Sequence, residues 1–288
     1  MNKSSLLSPI IVKQYLDVQN AGDVASSVIV AHVTSRQVEI SRPPQGFARL
    51  RHPLRALIQQ RHWGMLKASK KSTNLIAIGS IMHWTEGNSI IWGTGFKDAY
   101  IDIRVKPRAV LAVRGYLTGA RLRKLGVDCP EVFGDPGIFL PQIYLKQTAK
   151  YALGIVPHYL DQNDPFIKRA KANGAQIIDV KAPLPEFANM LSSCEKILSS
   201  SLHGVIFAHA YGIPAAWIAI SDKIRGNGFK YYDYYSSIGM RQEDVPILNV
   251  NEKLETLAEH CHLPVSSIDK SALRTALIEG LEKWGLPK

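Results

Sequence analysis

The chain has 288 residues, of which 46% are hydrophobic and 20% are charged. This composition excludes a disordered chain and supplies enough apolar side chains for one large domain or two smaller ones. No apolar run reaches the roughly 18 residues that a membrane-spanning helix requires. The first residues lead directly into a predicted strand, so we predict no signal peptide. The cysteines are odd in number and widely spaced, which predicts reduced thiols in a cytoplasmic protein: Cys129, Cys194 and Cys261.

The net charge of +11 originates in the first half of the chain. Residues 1–150 contain 21 Lys and Arg against 9 Asp and Glu, whereas residues 151–288 contain 14 against 15. Part of the excess falls in Arg36–Lys71, where apolar residues recur near helical spacing. Such a stretch can lie on an anionic bilayer, and a solvated basic face is the alternative. The asymmetry predicts an anionic partner for this half: a membrane surface, a phosphorylated substrate or nucleic acid.

Short apolar runs alternate with helical patterns, which predicts an α/β fold. The first half contains, in chain order, the predicted strand Pro9–Leu16, the helix Val24–Val33 with Asp23 as its N-cap, the strands Leu75–Gly79, Ile90–Gly93 and Ala109–Val113, and the helix Tyr116–Leu125. After a connector near 140–150, the second half contains the strand Tyr151–Val156, the helix Asp164–Asn173, the strand Gln176–Val180, the helix Leu184–Cys194, the strand Lys196–Ser199, the helix Leu202–Tyr211, the strand Ala215–Ile220 and the final helix Ile268–Trp284.

Because the strand–helix rhythm restarts after the connector, we expect two Rossmann-like doubly wound lobes that face each other across a cleft. The predicted boundaries are 1–145 for the basic first lobe and 146–267 for the second. The remaining residues, 268–288, are predicted to form a C-terminal helix that packs back on the first lobe. Ligands of open parallel sheets bind outside the carboxyl ends of the strands, so the loops after the strands are the expected place of the chemistry.

The segment Ser199–Gly204 is the strongest candidate for a functional site. A predicted strand ends in three serines and a helix begins at once. The free N–H groups of that helix and the serine hydroxyls predict an anion site. His203 lies in the first helical turn, where it can donate a proton or pair with a phosphate. Serines that only cap the helix, beside an ordinary loop histidine, are the alternative.

Two charged residues also follow predicted strands. Asp23, in the segment Asn20–Asp23, can orient or deprotonate a sugar hydroxyl, and an ordinary N-cap is the alternative. Arg114 ends a strand and can clamp a phosphate or carboxylate in a bidentate manner, and a surface salt bridge is the alternative.

Three glycine-bearing segments complete the set of candidates. Trp92–Phe96 lets the backbone approach a ligand closely, although its spacing is not that of a dinucleotide fingerprint. Gly134–Gly137 predicts a tight turn. Lys223–Tyr235 places Arg225 and Lys230 on a predicted loop after a strand, on the side of the sheet that suits an anionic donor.

No metal site is predicted. His260–His262 is too closely spaced for a usual zinc site and indicates a surface segment. The sequence contains no HExxH, P-loop or GxSxG motif.

Several of these segments together resemble the polysaccharide pyruvyltransferases, and most closely the branch that places pyruvyl ketals on bacterial exopolysaccharide repeat units. The matching segments are Asn20–Asp23, Ile91–Phe96, Val113–Gly115, Asp128–Leu140, Ile155–Tyr159, Ser199–Pro214 and Lys223–Gly239. The order and spacing of these segments carry the resemblance.

The resemblance implies a two-lobed fold similar to GT-B glycosyltransferases, with phosphoenolpyruvate as the donor and co-substrate and no other cofactor. His203 corresponds to the family's donor-site histidine and is the expected acid, with Asp23 as the hypothetical base. The expected donor ligands are Ser200, Ser201, Leu202, Arg114, Arg225 and Lys230. The matched segments also supply the candidate acceptor-binding residues Asn20, Gly95 and His158.

One position departs from the family pattern. Many members carry Arg immediately before the Leu-His pair, whereas this chain has Ser201. Another cation must then meet the phosphate or carboxylate of the donor. Arg225 and Lys230 are the candidates because they follow the neighbouring strand.

The resemblance also implies partners and a location. The expected acceptor is a saccharide, built on a polyprenyl diphosphate carrier, and an anionic membrane surface is a further expected partner, whereas nucleic acid is not. We expect a cytoplasmic protein that is peripheral on the inner face of the cytoplasmic membrane. The alternatives are a GT-B-like glycosyltransferase with a nucleotide-sugar donor, for which Glu243 or Glu252 would bind the ribose, and a basic binding module without activity.

Overall fold

Two parallel β-sheets form the framework of the chain in a computed structural model that describes residues 8–16, 18–41, 72–224, 226–246 and 248–284. The first sheet contains β1 (Ile10–Lys13), β2 (Val38–Ser41), β3 (Asn74–Ile76), β4 (Ser89–Trp92) and β5 (Ala109–Ala112), in the spatial order β2-β1-β3-β4-β5. The second contains β6 (Tyr151–Val156), β7 (Gln176–Ile177), β8 (Cys194–Ser199) and β9 (Ala215–Trp217), in the order β7-β6-β8-β9.

Helices connect and cover these strands. They are α1 (Ala21–Thr34), α2 (Tyr116–Lys124), α3 (Pro165–Ala172), α4 (Leu184–Ser192), α5 (Leu202–Ala210), α6 (Phe229–Ser237), α7 (Leu254–Glu259) and α8 (Lys270–Lys283). A 3₁₀ segment at Pro136–Gln142 precedes the second sheet. The mixed α/β fold with parallel sheets is therefore confirmed.

Two local predictions are wrong. Helix α1 begins three residues earlier than its predicted start, because the side chain of Asn20, not of Asp23, accepts the N–H of Gly22 at 3.0 Å and caps the helix. Asp23 lies instead in the first turn. The C-terminal part of Lys223–Tyr235 is helix α6 and not a loop. Gly228, with φ 75°, provides the left-handed residue before it.

The two sheets share a hydrophobic core. Residues of both belong to one cluster of buried side chains, including Val12 of β1 and Ile197 of β8. Helix α1 and helix α5 both pack against the segment Pro136–Gln142, which lies in the chain between the two sheets. Gly137 permits this packing, because a Cβ there would approach Ile206 and Phe207 of α5 to 2.9 Å.

The last helix, α8, packs against the first sheet. The indole N–H of Trp92 donates to the backbone oxygen of Leu273 at 2.8 Å. Gly280 lies against Leu111 of β5, where a Cβ would come within 2.4 Å of a leucine methyl group. Helix α8 thus covers β4 and β5 of the first sheet, although it lies more than 150 residues after them in the chain.

Most of the basic stretch Arg36–Lys71 lies outside the described residues, so the predicted amphipathic helix there remains a prediction. Its described beginning includes strand β2, Val38–Ser41, which the sequence did not predict. Within the ranges that the structure describes, no helix has both the length and the apolar character needed to cross a bilayer.

Candidate functional site

The starts of helices α1 and α5, which follow the carboxyl ends of β1 and β8, lie against each other. Asn20 and Asp23 follow β1, and Ser200 to His203 follow β8. A Cβ on Gly22 would lie 2.0 Å from Nδ1 of His203, so only a glycine allows the two helix starts to approach this closely. The structure therefore brings together two segments that are about 180 residues apart in the chain.

His203 is buried and faces a second titratable side chain. Its Nε2 lies 3.9 Å from Oδ2 of Asp135, which is also buried. Neither atom has a hydrogen-bond partner. The other oxygen of Asp135 accepts the N–H of Gly137 at 2.8 Å, which holds the carboxyl group in place. Sequence reasoning assigned Asp135 to a tight turn and missed its position beside the histidine.

Burial disfavours charge on both members of this pair. It lowers the pKa of His203 to about 3, together with the positive charges of Arg114 and Lys230. It raises the pKa of Asp135 to about 7, against the Gly137 hydrogen bond and the charge of Arg114. An anionic ligand beside the imidazole would favour its protonated form. The protonation of His203 can therefore change when an anion binds.

The three serines before α5 have different roles. The hydroxyl of Ser199, at the end of β8, lies within hydrogen-bond distance of two backbone oxygens, at 2.9 Å from Val156 and 2.7 Å from Ser201. Ser201 is the N-cap residue of α5, yet its side chain makes no capping hydrogen bond. The start of α5 therefore keeps N–H groups of its first turn that no side-chain cap satisfies, as an anion site requires.

Ser200 is held by a buried carboxylate that the sequence reasoning missed. Its hydroxyl donates to Oδ2 of Asp161 at 2.6 Å and accepts the N–H of His158 at 2.9 Å. The second oxygen of Asp161 accepts the hydroxyl of Ser221 at 2.5 Å. Asp161 thus ties together the loops after β6, β8 and β9. Its place two residues after the matched segment Ile155–Tyr159 was the only available signal.

Lys230 and Asp23 bring opposite charges to the site from the two halves of the chain. Lys230 lies in the first turn of α6, and burial lowers its pKa to about 8. Burial raises the pKa of Asp23 to about 7, and the positive charge of Lys230 partly opposes this. Both groups therefore titrate near neutral pH. The second candidate cation, Arg225, lies outside the described residues.

Arg114 is fully buried and held by neighbouring groups. Its guanidinium forms an ion pair with Asp233 of α6 at 2.9 Å and donates to the hydroxyl of Ser80 at 2.8 Å and the backbone oxygen of Phe96 at 2.7 Å. Gly95 lies against this pair, because a Cβ there would be 2.5 Å from the guanidinium. The structure thus shows Arg114 joining the first sheet to α6, and its role as a donor ligand stays a prediction.

His158 is a predicted acceptor-binding residue. Its backbone N–H donates to the hydroxyl of Ser200, so it lies near the start of α5. Burial lowers its pKa to about 3, aided by the positive charges of Lys230 and Lys97. Leu202, predicted as a donor ligand, is the first residue of α5 and is buried. Among the described residues, no group of three or more His, Cys, Asp or Glu is arranged to hold a metal ion.

The fold and the site define an α/β protein with a polar, partly cationic centre at the carboxyl ends of two parallel sheets. Comparison of the sequence with known families matches residues 42–222 to the polysaccharide pyruvyl transferases. The chain therefore belongs to the polysaccharide pyruvyl transferase family, whose members transfer a pyruvyl group to a polysaccharide.

Two curated proteins are similar in sequence. An uncharacterized protein of Acanthamoeba polyphaga mimivirus is 29% identical over 225 residues, which cover 72% of this chain and 75% of that protein. The succinoglycan biosynthesis protein ExoV of Rhizobium meliloti (strain 1021) is 27% identical over 189 residues, which cover 61% of this chain and 57% of ExoV. A crystal structure of a functionally uncharacterized protein from Klebsiella pneumoniae aligns with a TM-score of 0.46 and 12% identity, over 86% of this chain and 100% of that one.

Proposed function

We propose that the chain transfers a pyruvyl group from phosphoenolpyruvate to two hydroxyls of one sugar in an exopolysaccharide repeat unit, forming a cyclic ketal. The observation that carries this proposal is the buried His203, whose unpartnered Nε2 lies at the start of α5 beside the equally unpartnered Oδ2 of Asp135. An acid at an anion site is what protonation of an enol phosphate requires.

The donor would bind at the start of α5. Its phosphate or carboxylate oxygens would accept hydrogen bonds from the first-turn N–H groups, where Ser201 makes no capping bond. Lys230 supplies positive charge near His203 and takes the place of the family arginine that is absent at position 201. Arg225 and Arg114 are further proposed donor ligands. Arg114 lies near enough to His203 for its positive charge to lower the pKa of the imidazole. The hydroxyl of Ser200 is oriented by Asp161.

The reaction requires three proton transfers, one to C3 of the donor and one from each of the two sugar hydroxyls. His203, protonated in the presence of the donor's negative charge, would give its proton to C3 of the enol, and Asp135 would stabilise the imidazolium. One sugar hydroxyl bonds to C2 and loses its proton. The second hydroxyl then bonds to C2 as the C2–O bond to phosphate breaks. Of the two hydroxyl protons, one replaces that lost by His203 and the other leaves with inorganic phosphate.

Asp23 is the proposed base for the acceptor. Its pKa of about 7 leaves a substantial ionised fraction at neutral pH, and its position in the first turn of α1 places it at the meeting point of the two halves. Asn20, Gly95 and His158 are the proposed acceptor-binding residues. This assigns acceptor binding mainly to a lobe of residues 1–145 and donor binding to a lobe of residues 146–267, in a GT-B-like arrangement.

The proposed acceptor is linked to a polyprenyl diphosphate, so the enzyme would act on the inner face of the cytoplasmic membrane as a peripheral protein. The positive charge of residues 1–150 supports this, because phosphates of the carrier and of anionic lipids attract basic surfaces.

The test measures phosphate release from phosphoenolpyruvate in the presence of saccharide acceptors, with the ketal identified by NMR spectroscopy. His203→Gln is expected to lower turnover by roughly 10²- to 10⁴-fold, the usual contribution of a general acid. His209→Gln is the matched control, because His209 lies on the same helix, is buried and contacts Tyr234 instead of the site. Tight binding of a uridine diphosphate sugar without binding of phosphoenolpyruvate would contradict the proposal and favour a glycosyltransferase.

A further inference from the structure

The loop Lys97–Arg108, between β4 and β5, exposes large apolar side chains to solvent. Tyr100 is 80% exposed, Val105 is 51% exposed and Ile101 is 42% exposed. Neighbouring apolar residues exposed together on a loop differ from the scattered single residues found on any protein surface. This loop, which we name the 97–108 loop, is therefore a candidate interaction surface.

Specific contacts fix the backbone of the 97–108 loop. One oxygen of Asp98 accepts the backbone N–H groups of Tyr100 and Ile101, both at 2.8 Å. Arg121 of α2 donates to the backbone oxygen of Asp98 at 2.7 Å and forms an ion pair with Asp102 at 2.8 Å. Both acidic side chains of the loop are thus engaged by the protein itself, and the loop has a defined shape.

The same loop carries basic side chains at the surface. The loop contains Lys97, Arg104, Lys106 and Arg108. Lys106 donates to the backbone oxygen of Gly126 at 2.7 Å, and Arg108 donates to the hydroxyl of Thr73 at 3.1 Å. Because these two acceptors are neutral, they position the side chains without neutralising them. The 97–108 loop therefore combines apolar residues with a surplus of positive charge.

The loop begins at the candidate active site. A Cβ on Gly226, which precedes α6, would lie 2.6 Å from the backbone oxygen of Lys97. The charge of Lys97 also contributes to lowering the pKa values of His158 and Lys230. The start of the loop, at Lys97, therefore lies near the predicted donor and acceptor residues, whereas its end, at Arg108, contacts Thr73 and leads into the amino end of β5.

We propose that the 97–108 loop docks the protein on an anionic lipid bilayer. Tyrosine at the headgroup level, aliphatic side chains below it and Lys or Arg around them are the combination that binds such a surface. Charge complementarity selects the anionic bilayer as the partner. The inference rests on the proposed function in one respect, since docking on a bilayer brings the enzyme to its acceptor only if that acceptor is lipid-linked.

The experiment measures sedimentation of the full chain with phosphatidylglycerol–phosphatidylcholine vesicles and with phosphatidylcholine vesicles. Tyr100→Ser with Ile101→Ser removes apolar contact, and Arg104→Gln with Lys106→Gln removes charge. Each lost basic residue is expected to weaken partitioning by about fivefold. The controls are Val265→Ser, at a residue 74% exposed on another loop, and Lys168→Gln with Lys171→Gln on the exposed face of α3.

Weaker binding of both loop variants to the anionic vesicles, with wild-type binding of the controls and unchanged thermal unfolding, supports the proposal. Wild-type binding of the loop variants overturns it and assigns vesicle binding to another part of the chain. Absence of binding by the wild-type protein overturns it as well.

A second measurement separates this inference from the proposed function. Phosphate release with a water-soluble saccharide acceptor is expected to be the same for the loop variants and the wild type. If no protein consumes phosphoenolpyruvate while vesicle binding still depends on the loop, the proposed function fails and the docking surface stands.

Discussion

His203 and Asp135 face each other with 3.9 Å between Nε2 and Oδ2, and neither atom has a hydrogen-bond partner. The distance exceeds that of a hydrogen bond, and both atoms are buried, so each bears a desolvation cost. A small movement toward each other, or a ligand between them, would satisfy both. Unpartnered buried polar atoms of this kind are rare in folded proteins and commonly mark functional sites.

Asp135→Asn tests the contribution of the carboxylate. The amide oxygen of Asn can still accept the Gly137 N–H, but it cannot stabilise an imidazolium by charge. We expect kcat to fall by about 10- to 100-fold, corresponding to the loss of one charged interaction. The alkaline limb of the kcat profile should also move to lower pH, because His203 loses its proton more readily.

Asp128→Asn is the control for this substitution, because Asp128 lies on the exposed surface a few residues earlier. Its kinetic constants and pH profile should match those of the wild type. An unchanged pH profile in Asp135→Asn would show that Asp135 does not act on the acid.

Gly22→Ala tests the close approach of α1 and α5. The added methyl group would lie 2.0 Å from Nδ1 and 2.9 Å from Cβ of His203, so the ring must move. A displacement of about 1 Å at a catalytic group costs on the order of 10²-fold in rate, and we expect a loss of that size in kcat. Gly87→Ala is the control, since its nearest neighbour would be 3.7 Å away. Full activity of Gly22→Ala would exclude a requirement for this packing.

The sequence predicts the strand–helix junction at Ser199–Gly204 because three serines follow a buried apolar run and a helical pattern begins at once. It predicts most strands of both sheets for the same reason, since β-branched and apolar residues alternate with turn signals. These features depend on local patterns, and the structure confirms the parallel α/β fold that they indicate.

The contacts that define the site do not follow from local pattern. In the sequence, Asp135 is indistinguishable from an ordinary turn residue. Its role depends on the position of His203, which α5 places beside it. Asp161 acquires its role only when three loops of the second sheet converge. The helix α6 is missed because Gly226 and Gly228 indicate a loop. The helix begins at the residue that follows Gly228. Long-range packing, which the sequence of one segment does not contain, decides the roles of Asp135 and Asp161.

Lys230 should make the affinity for phosphoenolpyruvate depend on pH, with a decrease on the alkaline side of the profile that we call the basic limb. Its pKa of about 8 means that it is protonated below that pH and neutral above it. Donor affinity is therefore expected to fall as the pH rises through about 8, measured by isothermal titration calorimetry. Bound donor will shift the limb upward, because its negative charge favours the protonated amine.

Two substitutions of Lys230 separate charge from shape. Lys230→Met should weaken donor binding by about 10- to 100-fold at pH 7, the cost of losing a charged hydrogen bond, and should remove the limb. Lys230→Arg should retain binding and move the limb beyond pH 10, because guanidinium stays protonated. If Lys230→Met binds the donor as the wild type does, another cation, with Arg225 as the first candidate, meets the donor.

Arg114 and Asp233 should contribute to stability because they form a buried ion pair between the first sheet and α6. Removing one partner of such a pair leaves an uncompensated charge and typically costs about 3–5 kcal/mol. Arg114→Met and Asp233→Asn are therefore each expected to lower the free energy of unfolding by that amount in urea denaturation. The double variant should lose less than the sum, because neither charge is then left alone.

The same variants decide whether Arg114 also binds the donor. A purely structural role predicts that any Arg114→Met protein that remains folded keeps the wild-type KM for phosphoenolpyruvate. Donor binding predicts a raised KM in Arg114→Met but not in Asp233→Asn, because only the first variant lacks the guanidinium. Equal changes of KM in both would show instead that the ion pair acts by positioning α6, and with it Lys230, at the site.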